Sequence, residues 1–378
     1  MVDVRERLAR HCQPLLHYPR NSLSTVSHNA GGSPMPAQET TRADLAGRSA
    51  VLPVADVVDI VREWVDQHAR HLPDFAGAYL WGGITALPAD APFRLYRDVD
   101  VRVVVTRGAQ EDTREILYRG VMLEVDSMNL EAHQDAEAVL ADPSHGPNMA
   151  TTQILADPTG ILTQLQQAVA ADYGRRRWIQ ARCEAEKVSA EQQLAAMRQV
   201  SNPTDGQEAL WPVWLLLNAL SGLLAVAQLK RPTTRRTLSL LGDLLDEQGR
   251  SDLHEAALRT WGSVHMSRAD VEGMLDQSVA AFDRSVEVYQ KPTPYGFTIR
   301  AHLRPYLTEA TQEMIDEGNH REATFWIITL VSESYLVLQN DAPDAEKPVF
   351  AAQFQAMNDA LGYTSAEAWA ERVASAER

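Results

Sequence analysis

Asp98 and Asp100 stand one residue apart in the run Asp98-Val99-Asp100-Val101-Arg102-Val103-Val104-Val105, a short distance after Gly82-Gly83. Valines at 99, 101, 103 and 105 alternate with the acids, a period of two on a strongly β-forming stretch. Alternate side chains of a strand point the same way, roughly 6.6 Å apart along it, so the two carboxylates can serve one cation or a pair of cations. Without a cation their repulsion is costly. Val121, Leu123 and Val125 make a second apolar row, which leaves Glu124 and Asp126 on the other face and offers a third carboxylate. Glu124, enclosed between Leu123 and Val125, is the first choice; Asp126, leading toward Ser127 and Asn129, is the alternative and can instead hydrogen-bond the strand end. A D-x-D pair alone also occurs on the outer face of half-solvated sheets, but three acids on two neighbouring strands are a narrower pattern. Such a set suits metal-dependent handling of phosphate, because Mg²⁺ takes few carboxylates and completes its shell with water and phosphate oxygens.

The elements that must position these acids are legible around them. Ala76 to Trp81 reads as a strand that empties into Gly82-Gly83, where backbone N–H groups can approach phosphate oxygens with no side chain in the way. Thr85 adds a hydroxyl close to the same turn. Residues 114–128 read as a hairpin, with 116–118 and 121–125 flanking Arg119-Gly120. Upstream, the spacing of Val57, Val58, Ile60, Val61, Trp64 and Val65 predicts a helix over 54–69, and a further helix is expected over 130–140. A short strand over 153–156 closes in Asp157-Pro158-Thr159-Gly160, a turn that explains its own Pro and Gly and makes Asp157 a cap. Beyond Ile161 the period is helical almost throughout, and Pro203, Pro232, Pro292, Pro294, Pro343 and Pro348 fall mostly between segments.

At 378 residues the chain suggests about two domains. The expected fold class is α+β: a small mixed β-sheet domain with flanking helices over 51–175, then an all-α bundle over 176–378. Residues 1–50 read as a flexible arm, rich in Gly, Ser, Pro and Thr between 28 and 41, and Met35 is an alternative start to Met1. The formal net charge of −16 argues against a general nucleic-acid binder, whose phosphate contacts need a basic face. Cys12 and Cys183 form no metal-spaced motif, as in a reducing compartment. No apolar run approaches the roughly 20 residues of a membrane span; the stretch 214–229 carries Asn218, Ser221 and Gln228 and reads as a buried helix. With no apolar core of a signal peptide at the N-terminus, a cytoplasmic location is expected and no membrane partner.

One basic cluster, Lys230-Arg231-Pro232-Thr233-Thr234-Arg235-Arg236, stands out in this acidic chain. It can neutralise a triphosphate in an interdomain cleft, or be a solvated loop at a helix start. Arg175-Arg176-Arg177 carries the same ambiguity, and Trp211 and Trp214 are expected in the core.

Gly82-Gly83, then Asp98-x-Asp100, then an acid between hydrophobic residues on a later strand resembles the nucleotidyltransferase superfamily, in particular the small aminoglycoside and lincosamide nucleotidyltransferases. The likeness covers about residues 54–175, with a looser one in the helical half. It implies a nucleotidyltransferase-type sheet domain and a Mg²⁺-dependent enzyme, with two ions about 3.5–4 Å apart, that moves a nucleoside monophosphate from an NTP, ATP first among them, to a hydroxyl of a small molecule. It assigns Asp98, Asp100 and Glu124 (Asp126 as alternative) to metal and catalysis, and Gly82, Gly83, Thr85, Lys230 and Arg231 to the nucleotide. Gly83 stands where the family often has serine, so Thr85 would supply that hydroxyl, and the link from Ile84 to Arg97 is long. Glu184 and Glu186 are candidates for a separate base by position only. The resemblance also allows a homodimer, antibiotic resistance as a role, a protein acceptor in the manner of adenylylating antitoxins, or a scaffold that binds nucleotide without turnover.

Overall fold

The computed structural model describes residues 51–109, 113–203, 206–290, 296–363 and 365–378. The arm expected over 1–50, with Cys12 and Met35, lies outside the described residues. The architecture is α+β: a five-stranded mixed sheet with flanking helices, followed by a helical region.

Strand β1 (Val51–Pro53) runs into helix α1 (Val54–Gln67) and pairs with β3 (Pro92–Arg94). The main sheet contains β2 (Phe75–Leu80), β4 (Asp98–Val105), β5 (Arg114–Tyr118), β6 (Val121–Asn129) and β7 (Gln153–Ala156), in the order β5-β6-β4-β2-β7. Strands β4 and β6 run parallel; the other described pairings are antiparallel.

The period of two decides what each face of this sheet does. Val99, Val101, Val103 and Val105, with Leu123 and Val125, pack against Val57, Val61 and Val65 of α1. A fully buried valine contributes about 1.5–3 kcal/mol, and a one-residue slip would turn this whole row outward. On the opposite face Val104 and Tyr79 lie under α2 (Ala136–Ala141), α3 (His145–Thr151) and α4 (Ile161–Asp172), through Val139, Leu140, Met149, Leu162 and Leu165. That apolar cover stops at Val104. The next residues on its face are Arg102, Asp100 and Asp98, while Met122, the register partner of Asp98, belongs to the core of the helical region. The acids therefore occupy a gap between two apolar clusters.

The helical region comprises α5 (Arg176–Gln199), α6 (Gly206–Ala227), α7 (Thr237–Asp246), α8 (Ser251–Trp261), α9 (Arg268–Val288), α10 (Arg304–Asp316), α11 (His320–Asp341), α12 (Lys347–Ala360) and α13 (Ala366–Ala376). Helix α11 is central, with Phe325, Ile327, Ile328, Val331 and Val337 all buried. Trp214 stacks on Phe325 with centroids 5.6 Å apart, and its Nε1 donates to Thr329 Oγ1; Trp211 is buried beside it. Both tryptophans are core, as their spacing suggests. The stretch Glu208–Ala227 is long and apolar enough to cross a membrane by length and composition, yet most of it is buried inside the protein.

Three elements differ from expectation. Residues 130–140 are not one helix but a 3₁₀ turn, Leu130–His133, followed by α2, because the Asp135 carboxylate caps a new start by accepting from the backbone N–H groups of Glu137 and Ala138. Helix α3 follows directly after it. Helix α12 is present where Pro348 suggested a break: the proline sits in the first turn, where its missing N–H has no partner to lose.

Candidate metal and phosphate site

In the parallel register of β4 and β6, Asp98 stands beside Met122, Asp100 beside Glu124 and Arg102 beside Asp126. One carboxylate oxygen from each of Asp98, Asp100 and Glu124 lies within 4.8 Å of the others, and all three residues are half-buried. The structure thus brings these three acids together. Asp126 it places elsewhere in function: both of its oxygens accept from Arg102, and the pair is 12% and 19% exposed, so that carboxylate is already neutralised. Burial opposes a charge on Arg102, but the adjacent Asp126 outweighs it and raises the guanidinium's pKa.

A fourth acid, Glu115, was not apparent from motif spacing. Tyr118 pairs with Val121, which leaves Arg119-Gly120 as a two-residue turn with φ of 49° and 82°, the doubly left-handed form that matches the twist of a hairpin. Counting back from that turn puts Glu115 directly opposite Glu124. Asp100, Glu124 and Glu115 therefore form a row across three strands, with neighbouring strands about 4.8 Å apart. Oε2 of Glu115 is buried without a hydrogen-bond donor among the described residues.

Electrostatics follow from this crowding. Burial, then the charge of Asp98, pushes Asp100 well above the usual carboxylate range, with Arg231 and Arg102 opposing. Burial, then Glu115, Asp100 and Asp98, does the same to Glu124. Glu115 is raised by burial and by Asp98 and Asp100. A divalent cation would offset the repulsion among these buried carboxylates, so the donor set fits one.

The glycine turn abuts the acids. Gly82 has φ of 73° and begins the turn Gly83–Ala86; a Cβ on it would lie 1.5 Å from Oδ2 of Asp100. The backbone N–H of Trp81 donates to the Asp100 carbonyl at 3.1 Å. Around Gly83, by contrast, a Cβ would meet nothing within 4 Å. Thr85 Oγ1 donates to the Gly82 carbonyl at 3.0 Å and accepts from Arg231 Nη1 at 3.1 Å. Its hydroxyl closes the turn and ties it to the basic loop.

That loop divides. Arg231 reaches the turn and interacts with Asp100; burial lowers its pKa against that charge. Lys230, expected beside it, is not brought to the acids: its ammonium bonds Glu247 at 2.7 Å, at the end of α7. The backbone explains the parting, since Leu229 adopts φ of 58° and ends α6, with the Lys230 N–H returning to the Ala225 carbonyl. Arg235 lies 5.3 Å over the ring of Tyr306 on α10, and its Nη1 is buried with no acceptor among the described residues. Burial and then Asp98 raise the Tyr306 hydroxyl well above its ordinary value, with Arg235 opposing and Glu124 and Asp100 adding to the effect. Trp326 of α11 packs edge-on against the Tyr306 ring, centroids 5.7 Å apart. No local signal in the sequence links Tyr306 to the acids, whereas Arg235 belongs to the basic cluster that can meet a triphosphate.

The other candidates fall outside this cleft. Glu184 is exposed and pairs with Lys187, whereas Glu186 is 1% exposed within α5. Arg175 and Arg177 form exposed ion pairs with Asp172. Asp157 accepts from the Thr163 N–H at 2.8 Å and so caps α4.

No protein-family model matches the sequence and no curated protein is similar to it. Among solved structures, the chain is similar to a nucleotidyltransferase-like protein from Exiguobacterium sibiricum, with 12% sequence identity and a TM-score of 0.30 over 79% of this chain and 89% of that one. So low a score leaves the site to be argued from its own residues.

Proposed function

We propose that the chain is a Mg²⁺-dependent nucleotidyltransferase that moves a nucleoside monophosphate from an NTP, ATP in the first instance, to a hydroxyl of a small molecule of the aminoglycoside-like or lincosamide-like kind. The observation that carries the reading is the convergence of Asp98, Asp100 and Glu124 within 4.8 Å, at a glycine turn tied to Arg231. Asp98, Asp100 and Glu124 would hold the metal, which when bound supplies activation of the attacking oxygen and stabilisation of the departing pyrophosphate. Arg231 and Arg235 meet the charge of the triphosphate, and the open backbone at Gly83 lets phosphate oxygens come close. Met122, the register partner of Asp98, forms an apolar wall beside the acids and limits the water that reaches them. The net charge of −16 favours a cationic acceptor.

The test is pyrophosphate release from each NTP with Mg²⁺ across a panel of antibiotics, for the wild type and for Asp98→Asn and Asp100→Asn. Turnover falls to background in both variants. Unchanged turnover in either one would overturn the site, and label transferred to a polypeptide would overturn the small-molecule acceptor.

A further inference from the structure

Three guanidinium groups from two parts of the fold converge on one carboxylate of α10. Glu313 accepts from Arg97 Nη2 with both oxygens, each at 2.9 Å. Arg94 lies 3.6 Å away and Arg236 3.8 Å. Arg94 ends β3 and Arg97 immediately precedes Asp98, whereas Arg236 belongs to the loop that carries Arg231 and Arg235. The side chain of Glu313 is 17% exposed. Burial disfavours its charge, but the hydrogen bond and charge of Arg97, with the Tyr96 hydroxyl and Arg236, hold it below the usual carboxylate range.

Tyr306 and Glu313 lie about two turns apart on one face of α10. A single helix face thus presents a ring to Arg235 of the basic loop and a carboxylate to the residue in front of Asp98. Arg94 is 55% exposed and adds little; the two-oxygen grip on Arg97 is the geometry that fixes position.

We propose that Glu313 is a positioning residue, a latch that seats the phosphate-holding loop and Tyr306 against the cation-holding strands. The proposal takes its ligands from the nucleotidyl-transfer reading, while the latch itself stands on the geometry of Arg97, Glu313 and Arg236. All three acids lie on β4 and β6, so cation binding does not need the latch. A triphosphate, which must touch both the strands and the loop, does.

The experiment compares the wild type, Glu313→Gln and Arg97→Lys by Mn²⁺ titration, by titration of α,β-methylene-ATP in the presence of Mg²⁺, and by amide hydrogen exchange. In Glu313→Gln the nucleotide affinity falls about tenfold, within the usual range of coupling between sites, while Mn²⁺ affinity stays within about twofold. Exchange accelerates in residues 92–98 and 304–316 and is unchanged in 54–67. Arg97→Lys keeps the charge but replaces the planar guanidinium whose Nη2 both Glu313 oxygens hold, and its nucleotide affinity falls by about threefold. Unchanged exchange in both segments overturns the latch, as does a parallel loss of Mn²⁺ and nucleotide binding in Glu313→Gln. If the wild-type chain binds neither probe, the nucleotidyl-transfer reading fails and the exchange result alone decides the latch.

Discussion

The carboxylate of Asp100 fills the space that a side chain on residue 82 would need, with Oδ2 only 1.5 Å from where a Cβ would be. Gly82→Ala therefore displaces the Asp100 carboxylate, which the proposed function assigns to the cation, as well as straining a backbone at φ of 73° and ψ of −161°, a region that glycine alone adopts readily and that costs other residues about 1–3 kcal/mol. Gly83→Ala enters open space and stays within about 0.5 kcal/mol of the wild type. Thermal unfolding and Mn²⁺ titration of the two variants check this pair: only Gly82→Ala loses cation affinity. Equal behaviour would show that the turn does not abut the site.

Asp126 and Glu124 are neighbours on one face of β6, yet Asp126 is paired with Arg102 while Glu124 sits with Asp98 and Asp100. Asp126→Asn strips Arg102 of its counter-charge in a largely buried position and destabilises by roughly 3 kcal/mol, with Mn²⁺ binding retained. Glu124→Gln removes like-charge repulsion, so stability holds or rises while Mn²⁺ binding is lost. Denaturant titrations beside Mn²⁺ titrations separate the two; loss of cation binding in a folded Asp126→Asn would reverse the assignment.

Lys230 and Arg231 are adjacent but diverge, one to Glu247 and one to Thr85. Calorimetric titration with α,β-methylene-ATP is expected to show Arg231→Ala weakened by about tenfold, as for loss of a hydrogen bond to a charged group, and Lys230→Ala unchanged. The reverse order would remove Arg231 from the nucleotide site.

Glu333 on α11 is 6% exposed, its Oε2 meets no donor among the described residues, and burial raises its pKa from 4.5 to about 8. The folded chain thus holds a proton that the unfolded chain has released, so this residue's share of stability is complete below about pH 4.5 and is lost as pH rises through about 8. Glu333→Gln should therefore raise the melting temperature more at pH 8.5 than at pH 5.5, roughly the two ends of that window. A gain independent of pH would mean that the carboxyl is not buried in its neutral form.

The parts of this molecule that were legible in the sequence are those fixed by local period and turn chemistry. The alternation from Asp98 to Val105 announces β4, and the Arg119-Gly120 turn announces the hairpin, although the facing of Glu115 and Glu124 emerges only from the observed register. Lys230 and Arg231 could not be told apart by composition, because the left-handed Leu229 decides which of them turns inward. Tyr306 and Glu313 were beyond reach for another reason. Their relation to the acids depends on how α10 and the basic loop settle on the sheet, across some 200 positions of sequence with no periodic signal between them.

The β5–β6 hairpin closes over two residues, whereas the parallel partnership of β4 and β6 must wait for a chain segment to cross back. Short loops close at the lower entropic cost, so the hairpin is the natural nucleus of the sheet. That nucleus sets Glu115 against Glu124 before any neighbouring group arrives, and like charges directly opposed destabilise a strand pair. The row of acids is thus expected to slow the formation of the sheet that carries it, and stopped-flow refolding should run faster with divalent ions than without them.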